Sequence, residues 1–311
     1  MSLAPAFLRA LASHVDLKQD EPLSRHTTIG IGGPADAYVA VRSADQLSAA
    51  LRLCRDSTTP VFILGSGSNI VVGDRGIRGL VIENRAQAMT PPASDGDRYG
   101  VRVEAGASLA LAARQLSFAG LEGLEWACGI PGTIGGAVVY NAGAYGGCLA
   151  DVLRRIAVWD AGTAETQIEA PDLGLVYRGS AFTRGLMRDR AVLWAEFALW
   201  PGDEATLRAR IADYDERRLK AQPRGRNAGS FFKNPPGQPA WKLLDGAGLR
   251  GYLIGGAMFS EKHCNFLINA GDATAADVAA LKRLAQQRVH DEFGVDLEGE
   301  VSFVGEGFGN E

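Results

Sequence analysis

Apolar positions along the chain change period several times. Residues 36–41 and 61–64 read as strands, and the segment between them reads as a helix from a Ser43 N-cap to about Arg55. Short apolar runs at 70–72, 80–82 and 101–105 predict further strands, and Ser108 caps a helix that Gly120 can end. Strands follow near 156–159 and 192–200, and Pro201-Gly202 closes this stretch. Asp203 then opens a charged helix to about Lys220. A short helix at 240–244, a strand at 266–269 and a helix from near Thr274, with Asp277 placed as in a capping box, complete the pattern. Residues 295–304 read as a closing strand on which Glu298 and Glu300 share a face if it is regular. The order of elements predicts an α+β fold, and 311 residues correspond to about two domains. No internal repeat is visible.

Composition adds one anomaly. Apolar residues at 46% and charged residues at 22% are ordinary, but 39 glycines gather between apolar runs, where backbone can approach a ligand closely. A net charge of -4 lacks the basic footprint of a nucleic-acid binder. Residues 208–233 are the exception, with eight cations against three carboxylates. This reads as an anion-seeking patch or, for the helix itself, equally as a solvated face. The cysteines (Cys54, Cys128, Cys148, Cys264) form no CxxC pair and the histidines (His14, His26, His263, His290) no HExxH, so no metal site is expected. Arg9 interrupts the apolar N-terminal stretch, unlike a signal peptide. The uncharged run 126–150 carries seven glycines and Pro131, which reads as loops and not as a membrane helix. A cytoplasmic protein with reduced thiols is expected, without nucleic-acid or membrane partners.

Two glycine clusters carry the candidate chemistry. Gly65-Ser66-Gly67-Ser68-Asn69 lies between two strands and fits neither a Rossmann nor a P-loop motif. It reads either as a nest of N–H groups for phosphate oxygens or as a plain hairpin or bulge. Gly129-Ile130-Pro131-Gly132-Thr133-Ile134-Gly135-Gly136, followed by Asn141-Ala142-Gly143-Ala144-Tyr145-Gly146, is apolar enough to need a cover, which a flat cofactor would supply.

These two clusters occur with the His26–Ala35 segment, Tyr177-Arg178-Gly179-Ser180-Ala181-Phe182, Gly229-Ser230-Phe231-Phe232-Lys233-Asn234-Pro235, the Lys262–Asn269 segment and Leu297-Glu298-Gly299-Glu300-Val301. Taken in chain order, over about residues 20 to 305, they resemble the motifs of the UDP-N-acetylenolpyruvoylglucosamine reductases, in the shorter type that lacks a tyrosine-bearing loop.

The resemblance implies a vanillyl-alcohol-oxidase-like fold. Residues 1–202 would bind FAD in two subdomains meeting near 65–75, 203–293 would bind substrate, and 294–311 would return to the FAD domain with Glu300 at the junction. It implies noncovalent FAD, NADPH as co-substrate and reduction of the enolpyruvyl double bond of a UDP-sugar to give UDP-N-acetylmuramate, a peptidoglycan precursor; a monomer is expected. Carried over by motif, Arg178 binds the carboxylate, Ser230 donates the proton and Glu300 acts at the carboxylate end. The two glycine clusters (Gly65 to Asn69; Gly129 to Thr133, Gly135, Gly136, Asn141, Gly143 and Ala144) hold FAD. Tyr177, Asn234 and one of Arg217 or Arg218, with Arg218 favoured by spacing, bind substrate, and Lys233 supplies positive charge beside Ser230. His26 raises the question of a covalent flavin bond, which the family does not make. His263 reads as structural, and Trp126 and Met258 as core. The alternatives are another FAD oxidoreductase of this fold acting on an alcohol, or a nucleotide-sugar-binding protein without catalysis.

Overall fold

The computed structural model describes residues 3–13, 15–161 and 165–309, so His14 lies outside the described residues. Its first sheet runs in the order Leu17–Pro22, Pro34–Val41, Ile77–Asn84, Val61–Leu64. The first pairing is antiparallel and the other two are parallel. The helix Ala44–Asp56 connects the parallel strands, and Ser43 caps it by accepting a hydrogen bond from Gln46 N at 3.2 Å. Its Leu47 and Leu51 share a core with Val39, Leu80 and Ile82. Ladder bonds do not depend on side chains, so Ile77–Asn84 extends beyond the apolar run at 80–82.

The second sheet is antiparallel: Thr166–Glu169, Leu153–Trp159, Ala191–Pro201, Arg98–Glu104, Ala93–Asp95. The chain thus changes sheet between Asn84 and Ala93, later than 65–75. The helix Leu109–Phe118, capped by Ser108, buries Leu116 against Val101 and Val103. Within the glycine-rich run, read above as loops, stands the helix Ile134–Tyr140. Gly135 and Gly136 count against it by about 1 kcal/mol each. Burial of Ile134, Ala137 and Val138 in the same core as Trp126 offsets that cost.

The third sheet has the order Asn227–Ser230, Phe266–Asn269, Ala257–Phe259, Leu253–Ile254, with Met258 half-buried on the third strand. The helices Ala240–Gly246 and Ala275–Phe293 bury Leu244 and Leu281 in one core with Phe231 and Phe259. The capping box between Thr274 and Asp277 is present. Two further N–H groups of that helix, from Ala275 and Ala276, donate to Asp74 at 2.8 and 3.1 Å. A residue from beside the first sheet therefore caps a helix of the third.

The closing segment is not one regular strand. Only Ser302–Val304 is extended in a ladder, parallel to Ile70–Val72. Before it the chain crosses Phe231–Lys233, with Glu300 N donating to Phe231 O and Lys233 N to Glu298 O, both at 2.9 Å. Glu298 and Glu300 end in different surroundings, their side chains 71% and 15% exposed.

The charged helix Glu204–Ala221 starts at its Asp203 cap. Most of its cations are held by carboxylates: Arg208 by Glu204, Arg210 by Glu122 and Glu125, Arg217 by Asp213, Lys220 by Glu216. The helix is largely a solvated, ion-paired face. Arg218 is the exception.

Candidate active site

Where the three sheets meet, a cavity of about 1000 Å³ opens, and both glycine clusters line it. The turn Gly65–Asn69 forms because Gly67 takes φ +62°, where a Cβ would lie 2.1 Å from His26 O. Thr28 N donates to Gly67 O at 3.1 Å, and Ser68 Oγ donates to Pro131 O at 3.0 Å, which ties one glycine cluster to the other. Thr133 caps the helix Ile134–Tyr140, and its Oγ1 would meet a Cβ on Gly65 at 2.6 Å. Ile130, Pro131, Gly132, Thr133, Gly135, Gly136, Gly143 and Ala144 all line the cavity.

Gly129 and Asn141, expected to touch cofactor, stand outside that lining. Gly129 is small because Arg218 packs over it, its Cδ 2.8 Å from where a Cβ would sit. Asn141 is a left-handed helix C-cap whose amide donates to Val176 O and accepts from Ala150 N. Its work is to hold the loop that precedes Arg178.

Arg178, Ser230 and Glu300 converge on the cavity from three distant segments. Arg178 has φ +53°, rare for a residue with a Cβ. Its Nη2 donates to Gly143 O at 2.8 Å, and its Nε lies 2.7 Å from Glu300 Oε1. This close ion pair ties the guanidinium to Glu300. Burial pushes the Glu300 carboxyl above its ordinary range, against the opposing pull of Arg178 and Lys233. Asn69 Nδ2 donates to Glu300 O at 3.2 Å, so the Gly65–Asn69 turn and the segment just after Ser230 both fix this residue.

Ser230 ends its strand half-buried. The buried Asn265 pins the chain just beyond it: Phe232 N donates to its Oδ1 at 2.9 Å and its Nδ2 to Phe232 O at 2.8 Å. Asn265 lies in the Lys262–Asn269 motif, but its role is a pairing across 33 residues that local spacing does not reveal.

The other expected substrate residues divide. Arg218 lines the cavity, half-buried, with no hydrogen bond or ion pair among the described residues, and burial lowers its pKa. Arg217 points away to Asp213 at 2.8 Å. Lys233, Tyr177 and Asn234 lie outside the lining. The Lys233 ammonium turns to Glu298 at 2.5 Å instead of to Ser230. Tyr177 is exposed, its ring beneath the Arg178 guanidinium at 5.3 Å. Asn234 Oδ1 accepts from Ala240 N at 2.9 Å and so closes the turn before that helix. Arg224, unnamed by any motif, lines the mouth in the basic loop after the charged helix. Burial lowers the His263 imidazole, whose Nδ1 accepts from Asn265 N, a structural role.

Among the described residues no group of three or more His, Cys, Asp or Glu side chains could hold a metal, and no helix is long and apolar enough to cross a membrane. All four cysteines are free, and burial pushes the Cys54 and Cys264 thiols up to about 12. A dinucleotide cofactor fits this cavity: its volume is sufficient, both glycine clusters and apolar side chains line it, and Arg218 in the lining has no ion pair among the described residues.

Comparison with known proteins agrees with that geometry. A family model described as FAD binding domain matches residues 35–167, and one described as UDP-N-acetylenolpyruvoylglucosamine reductase, C-terminal domain, matches 221–304. The UDP-N-acetylenolpyruvoylglucosamine reductase 2 of Symbiobacterium thermophilum is 45% identical over 93% of this chain and 92% of its own. The Phenylobacterium zucineum reductase is 46% identical over 93% of this chain and 95% of its own. The crystal structure of UDP-N-acetylenolpyruvylglucosamine reductase from Thermus caldophilus covers 94% of this chain and 99% of that one, at 35% identity and a TM-score of 0.76. The α+β, vanillyl-alcohol-oxidase-like fold expected from the motifs stands. With relatives this similar over nearly its whole length, the chain belongs to the UDP-N-acetylenolpyruvoylglucosamine reductase family.

Proposed function

We propose that the protein reduces the enolpyruvyl double bond of UDP-N-acetylenolpyruvoylglucosamine to give UDP-N-acetylmuramate, a peptidoglycan precursor, with noncovalent FAD and with NADPH as reductant. The convergence of Arg178, Ser230 and Glu300 on one glycine-walled cavity carries this reading. In this assignment residues 1–202 hold FAD, 203–293 receive the UDP-sugar, and 294–311 bring Glu300 back to the junction. Bound FAD would supply the relay that accepts hydride from NADPH and delivers it to the terminal enolpyruvyl carbon.

The protein's own residues do the rest. Arg178, anchored through Gly143 O, presents a fixed cation to the substrate carboxylate and stabilises the enediolate-like charge that develops there. Ser230 donates the proton to the carbon next to the carboxylate. Glu300, whose carboxyl burial pushes above its ordinary range, is suited to exchange a proton at the carboxylate end. Arg218, lacking a carboxylate partner, takes the diphosphate; the loop contacts of Lys233, Tyr177 and Asn234 give these residues a share in shaping the substrate side.

The test is an anaerobic absorbance titration of the purified protein. NADPH should bleach the flavin, and the enolpyruvyl substrate should restore its colour. Colour that returned only with oxygen would overturn the reading.

A further inference from the structure

His26 does not line the cavity, and neither ring nitrogen is free for a flavin bond. Nε2 lies 2.9 Å from Glu21 Oε1 and Nδ1 2.8 Å from Glu83 Oε2, with side chains only 11%, 11% and 14% exposed. Glu21 is on the edge strand of the first sheet and Glu83 two strands away, so the imidazole spans the intervening strand. A neutral ring has one donor; only the doubly protonated ring donates to both carboxylates.

The residues that follow His26 are a strut. Thr28 N donates to Gly67 O at 3.1 Å, and Thr28 Oγ1 donates to Asn227 O at 2.6 Å, at the start of the strand that ends in Ser230. Asn269 Nδ2, from the neighbouring strand, donates to Ile29 O at 3.1 Å.

We propose that His26 is a positioning residue: by bridging Glu21 and Glu83 it holds segment 26–29 between the Gly65–Asn69 turn and the Ser230 strand, and so sets cofactor retention. The proposal rests on the reading of that turn as part of the FAD site. The groups facing the imidazole are Glu21 with Lys18 beside it at 3.4 Å, and Glu83 with Tyr38 and with Arg85 at 2.5 Å. The His26 hydrogen bond leads in lowering Glu21 against burial; burial would raise Glu83, but bonds from Arg85, Tyr38 and His26 outweigh it.

The test follows FAD release from the full-length flavoprotein by the rise in free-flavin fluorescence on dilution, in the parent and in His26→Gln, His26→Ala and Lys18→Ala. His26→Gln should bind FAD about tenfold more weakly than the parent, the scale of one charged hydrogen bond, and His26→Ala, which keeps no hydrogen-bonding group, more weakly still. Lys18→Ala should match the parent. If His26→Gln, folded by circular dichroism, kept the parent's FAD affinity, the strut would be refuted. Should His26→Ala fail to fold, His26→Gln still decides. A parent that retained no FAD would overturn the cofactor reading itself.

Discussion

At the scale of single residues, Arg178 holds a left-handed backbone, with its Nε 2.7 Å from Glu300. Such strain, of order 1–3 kcal/mol, persists where the surroundings over-determine it. A guanidinium reaches Gly143 O, Glu300 and a substrate carboxylate together; an ammonium cannot. Arg178→Lys should therefore lose roughly 100- to 1000-fold in turnover, about 3 to 4 kcal/mol, with flavin content and reduction by NADPH nearly normal. Turnover close to the parent's would show the fork to be dispensable. Ser230→Ala should pass the NADPH half-reaction and fail in the second, read by stopped-flow absorbance at each step, because only the second needs a proton at carbon. Glu300 gives a pH test. Its carboxyl is raised, so above its ordinary value of 4.5 the folded chain keeps a proton that the unfolded chain has lost, and stability falls as pH rises through that window. Glu300→Gln should remove that fall, seen as a urea midpoint that no longer drops there; parallel curves would show that Glu300 titrates as an ordinary carboxyl.

At the scale of elements, caps and turns were legible because their signals are local. Ser43, Ser108, Asp203 and the Thr274–Asp277 box each sit where the sequence puts them, since a hydroxyl or carboxylate accepts from an N–H only two or three residues away. The helix Ile134–Tyr140 was not legible, because its stability comes from burial and not from propensity. Nor was the second cap on Ala275–Phe293, which Asp74 supplies from 201 residues away. Asp74→Ala leaves the N–H groups of Ala275 and Ala276 without their acceptor and should cost about 1 kcal/mol in urea unfolding, with Asp74→Asn restoring part of it. An unchanged midpoint would show that water replaces the carboxylate at no cost.

At the scale of the whole molecule, the site exists only where three sheets meet. Among the described residues no histidine or cysteine lines the cavity, and His26 is committed at both nitrogens. A flavin bound there should thus leave the protein entirely on acid precipitation, with the colour in the supernatant; colour retained in the pellet would demonstrate a covalent bond. By itself the chain's order of residues determined the α+β class, the caps, the glycine turns and, by motif, the trio Arg178, Ser230 and Glu300. Those depend on residue type and short spacing. Only the tertiary structure shows how Arg217 and Arg218 differ, the first paired with Asp213 and the second facing the cavity. It also turned Lys233 toward Glu298, gave Asn141 a structural task and broke the regularity before Ser302. Each of these outcomes hangs on a partner tens to hundreds of residues distant, and a direction in space that folding alone supplies.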